Sequence, residues 1–587
     1  MTIERPTATA SNLAPEWGSD VIALTLRNLG LEYVSLNPGA SYRGLHDSLV
    51  NFLGNTMPQM ILCLHEEHAV AIAHGYAKVT GEPMAVALHS NVGLMHATMA
   101  IFDAWCDRAP VVLLGATGPV DAARRRPWID WIHTARDQGA LIRDFIKWDD
   151  QPASPEAAIE SIYRAGLIAR TAPRGPVYLN FDVSLQEAAL ETPVVPPDAS
   201  RFAPAAPSRP SAQAVGAAAD LLLKAKHPLI LAGRVSRDRG GWDARVELAE
   251  RLGARVLTDR KAAAAFPTEH PLHAAPPVTF MTPGVAEILR GADAILALDW
   301  IDLAGTMAGA WKEIPPVPVI HASLDQYSHN GWSMDHQGLP PVDVPLLAEP
   351  EAAVADLLDV VRKERPDRPA LPARAAAPDG AAPSGDLVVS DIARGLREAV
   401  GDRPVTLIRA SGGWPVGAWH FREPLDYLGV DGGGGIGSGP GISVGAALAL
   451  KGSNRLPVAV LGDGDYLMGV NALWTAAHYQ LPLLIVVANN RSYFNDEVHQ
   501  DRIARARGRN PDNRWIGQRI ADPEPDLAKL ADAQGLTGIG PVTDRAGLAE
   551  ALTCAVAAVE DGGACVVDVR VTPQIEAAAA SRAGKHG

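Results

Sequence analysis

The sequence has few cysteines, few aromatic residues and no long apolar run. Its 587 residues contain four cysteines (Cys63, Cys106, Cys554 and Cys565), and no two of them have the CxxC spacing typical of a zinc site or a redox motif. Disulfide bonds and structural zinc are therefore not expected. No apolar run approaches membrane-spanning length, and residues 1–16 lack the apolar core of a signal peptide. We expect a cytoplasmic protein that does not contact a membrane.

Basic side chains are also in deficit. The chain has 52 lysines and arginines against 67 aspartates and glutamates, a formal net charge of −15. This balance argues against nucleic acid or an anionic membrane as the main partner. A hydrophobic content of 47% and a charged content of 20% are values typical of a globular protein with an ample core.

Two stretches rich in proline and alanine, residues 194–211 and 365–385, read as linkers. The segments between them alternate strand and helix patterns, which favours α/β domains. We predict three doubly wound parallel-sheet domains and a flexible tail, with the boundaries 1–193, 212–364, 386–573 and 574–587.

The third segment contains a strand–turn–helix–strand pattern. An apolar strand at 456–461 ends at Gly462-Asp463-Gly464, and a second strand at 481–488 ends at Asn489-Asn490. Both polar ends then lie at the same edge of a parallel sheet, where ligands bind in doubly wound folds.

The residues at this edge suit a magnesium diphosphate. Asp463 offers an anionic oxygen, Asn490 an amide oxygen and Ser492 a main-chain carbonyl, and Mg²⁺ prefers such oxygens with positions left for phosphate. The glycines at 462 and 464 let the backbone approach the ligand, and the N–H groups that open the next helix favour an anion.

The GDG and NN motifs resemble those of the thiamine-diphosphate (ThDP) enzymes of the acetolactate synthase, benzoylformate decarboxylase and 2-hydroxyacyl-CoA lyase group. The resemblance covers essentially the whole chain and implies pyrimidine-binding, central and diphosphate-binding domains. Further cofactor contacts follow from it. Ile436 matches the apolar residue wedged between the two cofactor rings, and the other predicted cofactor-binding residues are Ser411, Gly412, Gly413, Gly462, Gly464, Asp465 and Tyr493.

The first segment carries a second motif of this family. Glu66 stands nine residues before Gly75 of a GYA sequence, where the family places a glutamate that hydrogen-bonds the cofactor's pyrimidine ring. The resemblance implies that Glu66 promotes the imino tautomer that removes the C2 proton of ThDP. His65 and Glu67 read as solvated residues at the end of a strand.

Three further residues are candidates for contact with the substrate. His89, in an LHS sequence similar to benzoylformate decarboxylase, is predicted to exchange a proton with the substrate, with a structural histidine as the alternative. His133 lies near where relatives carry a substrate-facing glutamine. Relatives place a substrate-facing residue in the early helix after Asn490, and Glu497 or Asn495 is the candidate for it; alternatively, Glu497 caps the basic stretch that follows.

Other residues bear on the substrate class. The family places a serine directly after NPG; here Ala40 occupies that position and Ser41 follows, so this catalytic serine is not carried over. Residues 124–126 are three arginines, expected either in a solvated loop or against the phosphates of coenzyme A. The arginine-rich stretch 502–519 is predicted to be a mobile loop over the site.

The resemblance implies a ThDP- and Mg²⁺-dependent carbon–carbon lyase that works through the cofactor's C2 carbanion. Our first hypothesis is a 2-hydroxyacyl-CoA lyase, which forms formyl-CoA and an aldehyde or ketone; it rests on the missing serine, the arginines and the tail. The alternatives are a decarboxylase or carboligase of free 2-oxo acids, supported by His89, then an acetolactate-synthase-like enzyme, and outside enzymes a ThDP-binding regulatory protein.

The family resemblance also bears on further ligands and on assembly. The central domain holds FAD in some relatives, ADP in others and nothing in many, and Gly233-Arg234 is too weak a motif to choose. In this family the cofactor lies between the first domain of one chain and the third domain of another. A homodimer is therefore the minimum expected assembly, and a tetramer is common.

Overall fold

The chain forms three parallel β-sheets, each covered by helices and each inside one of the three predicted segments. The computed structural model describes residues 4–7, 9, 14–277, 279, 281–311, 314–325, 338–372 and 385–573. The predicted fold class, α/β with three parallel-sheet domains, is confirmed. The predicted tail at 574–587 lies outside the described residues.

The first domain has a six-stranded sheet with the order β2-β1-β3-β4-β6-β5. Its neighbouring strands all pair in parallel. Its elements are α1 (Gly18–Asn28), β1 (Tyr33–Leu36), α2 (Arg43–Asp47), β2 (Gln59–Leu62), α3 (Glu66–Thr80), β3 (Met84–Leu88), α4 (Ser90–Cys106), β4 (Val111–Thr117), α5 (Ile129–Ile132), β5 (Asp149–Asp150), α6 (Pro155–Arg170), β6 (Val177–Asp182) and α7 (Val183–Gln186).

The middle domain has a five-stranded parallel sheet with the order β11-β10-β9-β7-β8. Its elements are α8 (Ala212–Lys224), β7 (Pro228–Ala232), α9 (Arg239–Leu252), β8 (Arg255–Thr258), α10 (Pro283–Arg290), β9 (Ala294–Leu298), α11 (Leu303–Ala310), β10 (Val319–Ser323), β11 (Val344–Leu347) and α12 (Pro350–Glu364).

The third domain also has a five-stranded parallel sheet, with the order β12-β13-β14-β16-β15. Its elements are α13 (Val389–Val400), β12 (Val405–Arg409), α14 (Ser438–Leu450), β13 (Leu456–Gly462), α15 (Asp463–Gly469), α16 (Ala472–His478), β14 (Leu483–Asn489), α17 (Phe494–Ala506), α18 (Leu527–Ala533), β15 (Thr537–Val542), α19 (Arg545–Glu560) and β16 (Ala564–Arg570).

Strand β14 shows why these strands read as continuous apolar runs. Leu483, Ile485 and Val487 pack into the core on one face of the sheet. Leu484 and Val486 pack into a separate core on the other face. Because successive side chains point to opposite faces, a strand covered by helices on both sides must be apolar at every position.

The first and third domains of the chain pack through helices α3 and α14, which approach each other at two glycines. A Cβ atom on Gly75 would lie 2.0 Å from the carbonyl oxygen of Ile442, and one on Gly445 would lie 1.9 Å from that of Ile72. Only glycine permits backbones this close. The glycine of the GYA motif therefore has a packing role as well.

Some predicted element boundaries were wrong. Helix α3 begins at Glu66 with His65 as its cap, so His65 and Glu67 do not end a strand. The helix predicted after the GDG motif is broken into α15 and α16. The stretch 502–519, predicted as a loop, contains the end of α17 and a 3₁₀ helix at Pro511–Trp515. Within the described ranges, no helix has the length and apolar character needed to cross a bilayer.

Candidate active site

The GDG and NN motifs meet at the carboxyl edge of the third sheet, as predicted. Asp463 opens helix α15 directly after β13, and Asn490 follows β14. The carboxylate of Asp463 accepts hydrogen bonds from the backbone N–H groups of Gly464, at 2.9 Å, and Ser492, at 3.1 Å. Burial raises the pKa of Asp463 to about 6, and these N–H groups act against that rise.

The chain turns sharply after Asn490. Arg491 has a positive φ of 60°, and its backbone N–H donates to Oδ1 of Asn489 at 3.1 Å. The side-chain amide of Asn489 donates in turn to Asp568 at 2.8 Å. Asn489 thus fixes the turn, which leaves Asn490 to face the edge of the sheet.

Glu497 supports this turn from helix α17. Its side chain is buried, and its Oε1 accepts a hydrogen bond from the hydroxyl of Ser492 at 2.5 Å. The guanidinium of Arg514 lies 3.6 Å from its other oxygen. The structure therefore joins Glu497 to the predicted metal loop, while Asn495 is exposed on the same helix.

Asp465 holds the glycine-rich loop that precedes α14. Its carboxylate accepts the backbone N–H groups of Gly437, at 2.6 Å, and Gly439, at 3.3 Å, and pairs with Arg409 at 3.2 Å. Arg409 also pairs with Asp431 at the start of the loop. Ile436 lies within this loop and is 42% exposed, so its side chain projects away from the loop's own contacts.

A second group of side chains lies at the carboxyl edge of the first sheet. Glu66 is buried in the first turn of α3, where its Oε2 lies 3.0 Å from Nδ1 of His96 on helix α4. A Cβ atom on Gly93 would lie 3.1 Å from Cγ of Glu66, so this glycine leaves room for the glutamate.

His89, Ser41 and His133 form a cluster on the same edge. Oγ of Ser41 lies 3.0 Å from Nδ1 of His89, and the backbone N–H of Ser41 donates to the same nitrogen at 3.4 Å. The ring of His133 packs edge-on against His89 with centroids 4.7 Å apart. Burial and the neighbouring His133 lower the pKa of His89, and Glu66 acts in the opposite direction.

The three consecutive arginines are bound within their own loop. Arg125 donates to the carbonyl oxygens of Pro119, at 2.6 Å, and Val120, at 3.1 Å. Arg126 pairs with Asp130 at 2.9 Å, and Arg124 lies 3.7 Å from an aspartate three residues before it.

The middle domain offers no phosphate loop at Gly233-Arg234. A Cβ atom on Gly233 would lie 2.3 Å from the carbonyl oxygen of Asp299, so the glycine is required by packing. Arg234 pairs with Asp299 at 3.2 Å, and Arg108 of the first domain pairs with the same carboxylate at 3.1 Å. These contacts support neither ADP nor FAD in this domain.

Three family profiles match the chain in the order of its domains. They are described as "Thiamine pyrophosphate enzyme, N-terminal TPP binding domain" at residues 16–141, "Thiamine pyrophosphate enzyme, central domain" at 215–357 and "Thiamine pyrophosphate enzyme, C-terminal TPP binding domain" at 410–569. Together they span well over half of the chain. The chain belongs to the thiamine-diphosphate-dependent enzymes.

Known ThDP enzymes resemble it along most of their length. Benzoylformate decarboxylase from Pseudomonas aeruginosa is 26% identical over 486 residues, which cover 80% of this chain and 85% of that protein. A probable acetolactate synthase large subunit from Methanocaldococcus jannaschii is 23% identical over 556 residues, covering 88% and 86%. The crystal structure of benzoylformate decarboxylase from Polynucleobacter necessarius has a TM-score of 0.78 at 21% identity and covers 95% of this chain and 99% of its own.

The third domain fits a ThDP diphosphate and its metal ion. Oδ1 of Asn490 and Oγ of Ser411 are buried, and neither has a hydrogen-bond partner among the described residues. A Cβ atom on Gly412, Gly413 or Gly462 would meet nothing within 4 Å, so open space adjoins these backbones. Buried polar atoms of this kind normally have partners, and an ion or phosphate would supply them.

Tyr493 explains why the third residue of the GDG motif is glycine. A Cβ atom on Gly464 would lie 2.5 Å from the ring of Tyr493. The ring therefore packs directly over the backbone that opens α15. Tyr493 therefore supports the shape of the turn that opens α15 in this ThDP enzyme.

Sequence reasoning missed two side chains of the site. Ser41 was set aside because it stands one position after the family's serine, yet its hydroxyl reaches His89. Only the tight turn after NPG, which starts a 3₁₀ helix at Ala40–Tyr42, brings it there. No sequence signal pointed to His96, whose contact with Glu66 depends on how α4 packs beside α3.

Proposed function

We propose that this ThDP enzyme decarboxylates a 2-oxo acid, and that it also joins the resulting aldehyde unit to a second carbonyl compound. The observation that carries the proposal is the Ser41–His89–His133 cluster at the same sheet edge as Glu66. A hydroxyl beside an imidazole can hold a carboxylate while the imidazole exchanges a proton with the adjacent oxygen.

The residues of the chain have distinct proposed roles. Asp463, Asn490 and the carbonyl of Ser492 hold Mg²⁺, and the turn at 411–413 with the start of α15 binds the diphosphate. When bound, ThDP supplies the carbon nucleophile and the electron sink. Glu66 hydrogen-bonds the pyrimidine ring, as the resemblance implies.

The substrate contacts come from the first domain. Ser41 donates its hydroxyl to the substrate carboxylate. Burial and the neighbouring His133 lower the pKa of His89, which favours the neutral imidazole that can accept a proton and return it to the 2-oxygen of the substrate. His133 orients His89 and closes one side of this pocket. Glu497 acts through Ser492 by fixing the metal loop.

Contacts of the described residues weigh against two of the three grounds for a 2-hydroxyacyl-CoA lyase. A serine is present beside His89 after all. The arginines at 124–126 make hydrogen bonds and ion pairs within their own stretch of chain, which supports a structural role for them. The third ground, the tail, lies outside the described residues. The decarboxylase hypothesis is now the better supported one.

An exposed apolar face supports assembly into dimers. Met95 and Met468 are each 55% exposed, and a contiguous patch of exposed apolar side chains often marks an interaction surface. The face continues across helix α4 and the glycine-rich loop through Val92, Met95, Met99, Ile436 and Met468. Met99 lies against Gly435 and Met468 against Gly437, which makes the face contiguous. We propose that a second copy of the chain covers it, in line with the dimer that the family resemblance implies.

The function is tested by offering several substrates to the protein loaded with ThDP and Mg²⁺. Benzoylformate and pyruvate are supplied in separate reactions and carbon dioxide is measured; a 2-hydroxyacyl-CoA is supplied in a third and formyl-CoA is measured. We expect ThDP-dependent carbon dioxide release from a free 2-oxo acid. Formyl-CoA as the only product would restore the lyase hypothesis, and cofactor binding with no turnover on any of them would favour a regulatory protein.

A further inference from the structure

A cluster of three metal-ligating side chains lies in the first domain, whereas the predicted Mg²⁺ site lies in the third. His65, Glu66 and His96 each offer one ligand atom, and these atoms lie within 4.8 Å of one another. Nδ1 of His96 is 3.0 Å from Oε2 of Glu66. The imidazole rings of His65 and His96 are stacked with centroids 5.0 Å apart and an angle of 20° between them.

Each member of the cluster is placed by the fold. His65 caps helix α3 and Glu66 is the first residue of that helix, while His96 projects from helix α4, which packs beside it. His68 lies one turn along α3, and its ring packs against His65 with centroids 5.3 Å apart. His65 and Glu66 are therefore held in place, and His96, whose side chain is 50% exposed, is the ligand that can move.

We propose that His65, Glu66 and His96 bind a divalent transition-metal ion such as Zn²⁺, and that this ion reversibly blocks the enzyme. Zinc binds imidazole nitrogens and carboxylate oxygens at about 2.0–2.2 Å with tetrahedral geometry and often keeps water as its fourth ligand. Ligand atoms in such a site lie about 3.3–3.6 Å apart. The Glu66–His96 pair, at 3.0 Å, already lies near this separation, and movement of the exposed His96 can bring the remaining ligand atoms, which lie within 4.8 Å, towards it.

The ligand atoms of this cluster differ from those of the predicted Mg²⁺ site. The third domain offers oxygen atoms alone, which suit Mg²⁺, whereas the cluster offers two imidazoles, which suit Zn²⁺, Cu²⁺ or Ni²⁺. Magnesium in excess should therefore fill the first site and leave the second available. The two cations can be titrated separately on one chain.

The metal ion inhibits the enzyme because it uses Glu66, which the cofactor also needs. This inhibition rests on the proposed function. A carboxylate that coordinates an ion no longer hydrogen-bonds the pyrimidine ring of ThDP. The ion and the productively bound cofactor thus compete for Glu66. Removal of the ion by a chelator restores the free carboxylate, so the block is reversible.

Binding is tested by calorimetric titration of Zn²⁺ into the full chain, free of any histidine tag and in excess Mg²⁺. The test variant is His65→Asn with His96→Asn, and the matched control is His227→Asn, which removes an exposed histidine outside the cluster. Loss of an outer-shell partner alone costs roughly 10- to 100-fold in metal affinity. We expect the double variant to bind Zn²⁺ more than about tenfold more weakly, and the control to bind as the wild type does.

Two further readouts keep the proposal open to refutation. Co²⁺ in place of Zn²⁺ should give visible absorption typical of a tetrahedral site in the wild type and none in the double variant, whose folding is checked by thermal unfolding. Equal Zn²⁺ affinity in the wild type and the folded double variant would overturn the proposal. Equal loss in the His227→Asn control would do the same.

An inhibition assay distinguishes failure of the zinc proposal from failure of the proposed function. With a 2-oxo acid substrate, Zn²⁺ should inhibit the wild type and a chelator should restore its rate. The inhibition constant should rise more than about tenfold in the double variant, measured against that variant's own uninhibited rate. If no substrate is turned over but the zinc site is lost in the double variant, the proposed function fails and the site stands. Turnover that Zn²⁺ leaves unaffected would overturn the block.

Discussion

Replacing Ser41 by alanine tests whether its hydroxyl holds the substrate carboxylate. Hydrogen bonds to a charged group contribute about 1.5–3 kcal/mol. Loss of that contact should lower kcat/KM for a 2-oxo acid by roughly 10- to 150-fold, since each 1.36 kcal/mol corresponds to a factor of ten. Much of the effect should appear in KM, because the bound substrate already carries the carboxylate.

The same substitution should have little effect on folding. Nδ1 of His89 keeps the backbone N–H of Ser41 at 3.4 Å, so the imidazole is not left without a partner. We expect the free energy of unfolding to fall by about 1 kcal/mol, the value of one ordinary hydrogen bond. A loss several times larger would show that the hydroxyl is mainly structural.

Ser48→Ala provides a matched control. Ser48 is also buried in the first domain, but its hydroxyl bonds Ser19 at 2.8 Å and Asp20 at 2.7 Å. This variant should lose stability and keep its kcat/KM, measured by steady-state carbon dioxide release and by thermal unfolding. If Ser41→Ala and Ser48→Ala had the same kinetics, the assignment of Ser41 to the substrate would be refuted.

Three further predictions concern His89, pH and helix packing. His133→Asn should raise the pKa of His89, because the charge on His133 lowers that pKa. NMR titration of labelled imidazoles measures the pKa, and an unchanged value would contradict the prediction. Burial, then two neighbouring carboxylates, raises the pKa of Asp103 to about 8. Its folded-state pKa thus exceeds the unfolded value, so its stabilising contribution is full below about pH 4 and is lost as pH rises through about 8. The stability of Asp103→Asn, from denaturant titrations across this range, should therefore fall less with rising pH than that of the wild type, and parallel curves would refute the sign. Gly445→Ala should lower stability by about 1–3 kcal/mol, because its Cβ would lie 1.9 Å from a carbonyl oxygen of α3. Gly216→Ala, with nothing within 4 Å, is the control and should be neutral or stabilising in the same thermal unfolding experiment.

The sequence was sufficient to locate candidate residues that follow the end of a strand. Asp463 and Asn490 are separated in sequence, but parallel strands β13 and β14 are paired neighbours, so their carboxyl ends must lie together. Glu66 and His89 follow β2 and β3 for the same reason. The apolar strands and the glycine-punctuated turns that define these positions are local features, and local features can be predicted.

The sequence was insufficient where a side chain finds a partner through tertiary packing. Ser41 reaches His89 because the turn after NPG tightens, and spacing alone does not reveal this. Arg125 and Arg126 look available in the sequence but are engaged by their own loop. Glu497 turns out to bind Ser492, a contact that depends on how α17 folds back over the metal loop.

The measurement that tests the central claim most directly is the comparison of Glu66→Gln with the wild type in two assays on the same preparation. One assay is equilibrium binding of ThDP with Mg²⁺, and the other is turnover of a 2-oxo acid. Glu67→Gln, which changes the half-buried neighbour in the same helical turn, is the control. The account predicts that Glu66→Gln retains most of its cofactor affinity and loses turnover by about 10²- to 10⁴-fold, the usual range for a group that assists proton transfer. Turnover equal to that of the control would contradict the placement of ThDP against Glu66.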